Sequence, residues 1–447
     1  MKKSLLFLAF SLCTAITAQE HFSGMGTSQR VGILNGNINP AEFANLNSKV
    51  EVNFFGTSIN VSNNKIGFKD LTGNNIEDLI FRGNEPVNMR FDIEIAGPGV
   101  AFKIQNWGFA VTSKAYGKLN LIDIDVNLGD AIANNGLNSL LNTTTLEGNY
   151  NQRLMATTFG ELGFSAARTL WDNEKYQLSG GATFKLLLPG SYANFGVDQF
   201  QGTVNTVAGN SFLTNTQANV NIAYSGNLGN SFSDFDSYRK SIFGGMNGFA
   251  MDFGGTFSIK DNKDGYKLKT GLSFRNLGSM TFRDANNSST NYSLVITGNQ
   301  SLDLNQFQDV DSLQEVEQIL LDSGYLTAIS GREDFKVKLP GVINAYADLK
   351  LIPTLYVSMF VQQKLTNDSN DDQVTAQNLI SLTPRFSLKN FEVFSPLSQN
   401  EISGFNAGLG MRAWGFYLGS GSIFTALIND SKQADIFFGY RLGIGKS

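Results

Sequence analysis

The 447-residue sequence holds one cysteine, Cys13, and one histidine, His21. A lone thiol excludes a disulfide framework and a cysteine-ligated metal. A lone imidazole means that a Ser-His-Asp triad, an Asp-His dyad or a multi-histidine metal site must pass through His21 or do without histidine. His21 lies near the start of the chain, a poor mount for a general base, so the chain is expected to be no enzyme and to need no cofactor and no metal. Prolines number only eight. No stretch beyond the first residues offers the roughly 18 consecutive apolar residues of a membrane-spanning helix. Acidic residues outnumber basic ones, 39 to 34, and this balance argues against nucleic acid as a partner.

What is present in quantity is glycine, 46 residues, and phenylalanine, 36 residues, set in long runs of period two. In Phe249 to Lys260 the large groups Phe249, Met251, Phe253, Phe257 and Ile259 alternate with small, polar or charged residues, which puts every large apolar group on one face of a strand. Tyr266 to Asn276 repeats the pattern. The connection Asp261-Asn262-Lys263-Asp264-Gly265 ends in Asp-Gly, so the two runs read as an antiparallel hairpin. Both runs reach the roughly 9 to 11 residues with which a tilted strand crosses a bilayer. Alternation alone does not say whether water or lipid lies outside.

Met1-Lys2-Lys3, the apolar run Ser4 to Leu12, and Thr14 to Ala18 before Gln19 read as a secretory signal over residues 1–18, whose removal also removes Cys13. Export without a spanning helix leaves two destinations, a soluble β protein outside the cytoplasm or an outer-membrane β-barrel. The strand length, the glycine content and the absence of any Pro- or Ser-rich linker favour a single barrel over residues 49–447, in contact with outer-membrane lipid.

Residues 19–48 are rich in Gly and Asn without alternation, and read either as a surface arm or as a lumen plug. Val50 to Val61 is the first strand, with a bulge at Phe54-Phe55. Val87 to Ile104 alternates, turning at Gln105-Asn106 into Trp107. If this is a barrel, Arg90, Asp92 and Glu94 point into the lumen, since charges facing lipid near mid-bilayer cost about 2–4 kcal/mol each. Lys267, Lys269, Arg275, Lys336 and Lys338 are assigned to the lumen by the same alternation. Leu128 to Leu141 is expected as a short helix. Pro189 to Asn215 and Gly226 to Asn247 are expected as long polar loops. Ser312 and Glu315 form a capping box for a helix closed by Gly324, expected to pack on the barrel mouth or plug. Thr354 to Leu365, Gln377 to Leu388, Gly404 to Ala413 and Trp414 to Leu427 are further strand candidates, and Ala434 to Ile444 is an aromatic-bearing strand close to the end of the sequence. About 14 strands result, with boundaries that one sequence sets loosely. Gly445-Lys446-Ser447 mimics the end of a phosphate-binding loop without its opening glycine or following helix.

The glycine-rich arm running into Asn39-Pro40-Ala41, Leu339-Pro340-Gly341 entering a long strand, and Asn276-Leu277-Gly278 together resemble the FadL-like outer-membrane barrels, which include fatty-acid channels and PorV-type accessory barrels of secretion. The resemblance implies an all-β transmembrane barrel of about 14 strands, with an N-terminal lumen plug rooted at Asn39, Pro40 and Ala41. It implies either a transporter for a small hydrophobic or amphipathic solute, or a non-transporting docking barrel of a secretion or assembly complex.

Overall fold

A computed structural model describes residues 21–70, 79–133, 141–231, 244–261, 265–308, 310–428 and 430–446. The expected signal and Cys13 lie outside them, as do the central residues of the 261–265 connection.

The chain zigzags between two ends. β1 (Ser48–Asn63) rises, β2 (Val87–Ala96) and β3 (Gly99–Ile104) descend in line, and β4 (Trp107–Ile124) rises. β5 (Leu141–Glu147) lies in the next connection, β6 (Gln152–Asp172) descends, β7 (Tyr176–Val207) climbs for 32 residues and β8 (Asn210–Ser225) folds back beside it. β9 (Gly248–Lys260) descends and β10 (Tyr266–Phe282) rises, followed by β11 (Ser288–Ile296), β12 (Leu302–Asp303) and β13 (Leu326–Arg332). β14 (Phe335–Lys338) and β15 (Val342–Ile352) descend, β16 (Leu355–Lys364) rises and β17 (Leu379–Ser387) descends. β18 (Phe391–Phe394) with β19 (Leu397–Asn400) rises, β20 (Gly404–Ala407) with β21 (Leu409–Ala413) descends, β22 (Phe416–Ser420) rises and β23 (Gln433–Lys446) descends.

Antiparallel pairing passes from strand to strand, and β23 then pairs β1 from Ser48↔Lys446 to Ser62↔Gln433. The result is a closed ring of 14 strands, with the in-line segments counted together. One end carries only short turns, such as Gln105-Asn106 and Pro353-Thr354, and the other carries every long connection. Outer-membrane barrels place such turns on the periplasmic side. Trp107, Trp171 and Trp414 all lie at the turn end, where indole suits the membrane interface.

The side chains divide as the alternation requires. Phe249, Met251 and Phe253 are exposed on the outer wall, while Ala250, Asp252, Thr256 and Ser258 are buried within. The apolar faces do not pack on one another, so a soluble sandwich is excluded. The bulge expected at Phe54-Phe55 is present as a register shift between Asn53 and Phe55.

Four expectations need correction. Pro189 to Asn215 is no loop, because β7 runs through Pro189. The register against β6 shifts there, between Thr158↔Ser191 and Phe159↔Pro189, and a bulge is where a strand tolerates a residue without an N–H. Trp414 to Leu427 is not one strand. β22 ends at Ser420, and Ile423–Ile428 is a short helix with no buried residue, its Thr425 hydroxyl accepting from Ala407 N at 2.6 Å. Asn276-Leu277-Gly278 does not end its strand; Asn276 has φ +60° and the register shifts, reversing which residues face inward. The helix expected near 128–141 covers Val126–Ala133, and the residues after it are outside those described until β5 begins.

The helix Leu313–Asp322 is capped as expected, with Ser312 Oγ accepting from Glu315 N at 3.2 Å. It packs at the loop-end mouth of the barrel. At the loop end β7 carries the wall's sheet on through β8, β11 and β13, and Leu313 and Leu320 pack on the face that bears Val220, Ile222 and Leu294, with Leu302 beside them. Inside this second core, Glu317 accepts from Tyr224 Oη at 2.9 Å and from Tyr292 Oη. Burial first, then the Glu317 carboxylate, push Tyr224 up to about 12. A tyrosine raised on folding contributes stability below its ordinary value near 10 and loses that contribution as pH rises through the raised value. Tyr224→Phe should therefore delete an ionisation near pH 12 from the tyrosinate absorbance titration, and a titration identical to wild type would contradict this packing.

Candidate functional site: the lumen chamber

The lumen is occupied by the chain's own N-terminal segment. Asn39 caps the short 3-10 helix Pro40–Asn45, its Oδ1 accepting from Ala41 N at 3.0 Å, with Pro40 at the first position, where a missing N–H costs nothing. The same side chain donates through Nδ2 to Gly255 O at 2.9 Å and Leu272 O at 3.2 Å. A hydroxyl could accept for the cap and donate once, but among capping side chains only an amide can accept there and donate two bonds to the wall, which accounts for asparagine here. Further anchors are Ser273 Oγ to Ile38 O at 2.6 Å, Asn45 Nδ2 to Thr256 Oγ1 at 3.0 Å, and Lys269 to Glu42 at 2.9 Å.

Glycines let the segment lie against the wall. A Cβ at Gly254 would stand 2.0 Å from Asn39 Oδ1, one at Gly181 2.7 Å from Ala41 N, and one at Gly108 1.9 Å from Phe43 O. On the opposite side Phe22, Met25, Val31 and Leu34 pack on Phe394, Tyr417 and Phe437. The arm thus bridges the ring from early strands to late ones.

The inner wall carries two sets of alternating charge. Glu94, Lys114, Glu161, Lys185, Asp252 and Arg275 stand on six successive wall strands. Lys114 meets Glu94 at 2.7 Å, Lys185 meets Glu161 at 3.4 Å and Asp252 at 2.9 Å, and Arg275 meets Asp252 at 3.8 Å. Lys114 and Glu161 are register partners. On the late strands, Arg385 lies 2.6 Å from Asp348 and 3.5 Å from Glu392, Glu392 pairs in register with Arg412, and Arg441 bonds Glu51. Cross-strand pairs of opposite charge support a sheet, and here they also fill the lumen.

Between the arm and the first belt lies a chamber with about 90 Å³ of free space. Glu94, Lys114, Lys118, Glu161 and Arg275 are its charged lining, interleaved with Tyr116 and Phe159, and Phe22, Met25, Val342 and Phe360 are among its other apolar lining. His21 also borders it, with Nδ1 3.1 Å from Ser58 Oγ. Toward the loop end the lining continues into a buried cluster containing Met280, Phe282, Phe335, Val337 and Leu339.

The residues assigned to the lumen from the sequence divide. Arg90 is buried and bonds Asp368 at 2.7 Å, Asp92 faces Lys118 at 3.2 Å, and Glu94, Lys269 and Arg275 make the contacts given above. Lys267, Lys336 and Lys338 are exposed and are corrected. At Lys267 a register shift turns Tyr266 inward, where its hydroxyl bonds Asp348. At Lys336 and Lys338 the chain changes phase across Leu339-Pro340-Gly341, so Phe335 and Val337 take the inward positions. The compensating change on the neighbouring strand is at Asn276, whose Nδ2 reaches Pro340 O at 3.4 Å, so two motifs read separately form one paired irregularity. Missed altogether were Lys114, Glu161, Lys185 and Arg385. Lys185 is legible by alternation alone, since it stands between the large apolar Phe184 and Leu186 on β7.

No curated protein matches the chain. Among solved structures it is similar to a TodX deltaS2S3 mutant monoaromatic hydrocarbon channel, at 9% identity and TM-score 0.49 over 96% of this chain and 98% of that one. It is also similar to the Ralstonia pickettii toluene transporter TbuX, at 11% identity and TM-score 0.42 over 92% and 94%, and to the P. putida toluene transporter TodX, at 9% and 0.44 over 92% and 94%. These likenesses concern layout. In sequence, residues 40–421 match a family of unknown function, DUF5723, and with most of its length in that match the chain belongs to this family.

Proposed function

We propose that the chain, after loss of residues 1–18, is an outer-membrane barrel that passes a small hydrophobic or amphipathic solute, with residues 19–48 as its hatch, Asn39, Pro40 and Ala41 as the hatch root and residues 49–447 as the barrel. The observation that carries this reading is the chamber between the arm and the wall, lined by charged and apolar side chains together. Its free space of about 90 Å³ is well under the roughly 300–1,000 Å³ of small-molecule sites, so passage requires the arm to move. Single-channel recording in planar bilayers tests it. Full-length protein should be nearly silent, and deletion of residues 19–48 in an Arg153→Gln background, which frees the main-chain carbonyls of Asp368, Asp371 and Gln373 toward the loop end, should raise conductance at least tenfold.

A second reading has its own support. The sheet and helix at the loop end bury a core of their own, with Ala193, Phe200, Ile222, Leu228 and Ile296 fully covered, which is more structure than gating alone requires. It suits an accessory barrel that docks a secretion or assembly complex. Silence from both forms, with the protein inserted and folded, would favour this role over transport.

A further inference from the structure

The connection between β16 and β17, residues 365–378, does not project from the loop end. It turns into the ring, and Gln373, Val374, Thr375, Ala376 and Gln377 are all buried. Val374 joins the cluster of Phe282, Phe335, Val337 and Leu339, and Ala376 borders the chamber. The apolar route toward the chamber is therefore covered from the loop end by this segment.

The segment is held by the wall more than by itself. Arg153, with no exposed surface, donates to three of its main-chain carbonyls: Asp368 O, Asp371 O at 2.9 Å and Gln373 O at 3.3 Å. Asn194 Oδ1 accepts from Arg153 Nε at 3.0 Å and Nη2 at 2.8 Å, which fixes the guanidinium plane. Tyr192 Oη donates to Asp371 O at 2.7 Å, and Asn151 Nδ2 donates to Ser369 O at 2.9 Å and Asp371 Oδ1 at 2.7 Å. At the near end Asp368 takes Arg90 and Lys364, each at 2.7 Å; in the middle Asp372 takes Arg332 at 2.8 Å. Gly196 leaves the space that the Asp371 carboxylate fills, since a Cβ there would stand 2.1 Å from Oδ1.

A segment bound through its carbonyls to one rigid guanidinium, with ion pairs at Asp368 and Asp372 and main-chain bonds to Lys338, has few routes to partial release. Planar guanidinium supplies several fixed donors at once, which an ammonium does not. We propose that residues 365–378 form an outer lid, latched by Arg153, that closes the lumen from the loop end as the arm closes it from within. The two closures share no latch residue, so the lid stands whether or not the arm moves and whether or not a solute passes.

Thiol labelling tests this without any transport assay. In a Cys13→Ser background, Val374→Cys carries the sole thiol of the chain. A bulky membrane-impermeant maleimide should label it at least a hundredfold more slowly than Asn370→Cys, which is exposed on the same segment. Adding Arg153→Gln should raise the Val374→Cys rate at least tenfold while the protein keeps the gel mobility of a folded barrel, and Arg153→Lys should fall between. If Arg153→Gln does not fold, Asp368→Asn, which loosens the near end, should raise the rate severalfold. Equal rates at positions 374 and 370 in the latched protein would overturn the proposal. So would an unchanged rate in whichever latch variant folds. Silent conductance would count against the transport reading only.

Discussion

Gly108→Val should expel the arm from the lumen. The new Cβ would stand 1.9 Å from Phe43 O and 2.3 Å from Phe43 C, and a backbone cannot swing aside as a side-chain tip can. Gly108 is on β4, paired with Ala167 and Lys103, so the wall cannot retreat without breaking its ladders. Overpacking costs about 1–3 kcal/mol where neighbours adjust, and the upper end or more is expected where both contacts are main chain. The measurement is limited proteolysis of folded protein in detergent. Cleavage before β1 should be complete within minutes in Gly108→Val and slow in wild type, with the ring intact in both. Gly117, on the same strand, has no atom within 4 Å of the place a Cβ would take, and it supplies the control: Gly117→Ala should leave the arm protected. An arm that stays protected in Gly108→Val would mean that it is not held against β4.

Arg385→Met should be the most destabilising change in the wall. Asp348 and Glu392 have no exposed surface, and both lie within ion-pair distance of this guanidinium, with Arg412 in register beside Glu392 as the next cation. Ser358 Oγ at 2.8 Å and Tyr266 Oη also donate to Asp348, but neither carries charge. Removing one partner of a buried pair costs about 3–5 kcal/mol, because the charge left behind has no water to turn to. Two carboxylates are left here, so the upper part of that range is expected. The urea unfolding midpoint in lipid vesicles reads the loss. Replacing all three, with Asp348→Asn, Arg385→Met and Glu392→Gln, should recover most of it, since well-packed neutral groups of similar volume often do as well as a buried ion pair. A triple variant as unstable as the single one would show that the charges matter for more than mutual neutralisation.

The fold was more legible in the sequence than the site. Period-two alternation in Phe249 to Lys260 states which residues face out, because a strand has only two faces and lipid and lumen ask for opposite chemistry. That logic fails wherever the phase slips. Lys336 and Lys338 were misassigned because Pro340 interrupts the ladder between them and Val342, and a one-residue slip exchanges the two faces. β7 beyond Pro189 was invisible for a related reason: its residues pair β6 on one side and β8 on the other with polar and small groups facing the lid, so Asn194 and Gly196 read as loop composition. The arm showed only its root. Asn39 and Pro40 carry a local capping signal, whereas Phe22 and Met25 meet Phe437 and Tyr417 through contacts that no local pattern reveals. The lid was hidden most completely, since Asn367 to Asp372 has the composition of a solvated turn and its meaning depends on Arg153, far away in the chain.

Because the arm touches both early and late strands, it also constrains the order of assembly. Its polar root is held by β9 and β10, while its apolar side is covered by Phe394, Tyr417 and Phe437 from the last third of the chain. The ring shuts only when β23 meets β1, and the Arg441–Glu51 bond across that joint links residues 390 positions apart. Contacts of such separation repay their loop-closure entropy late and make folding slow. An arm already seated gives the late strands an apolar surface to wrap before the joint closes. Removal of residues 19–48 should therefore lengthen the time to closure even where the finished barrel tolerates their loss.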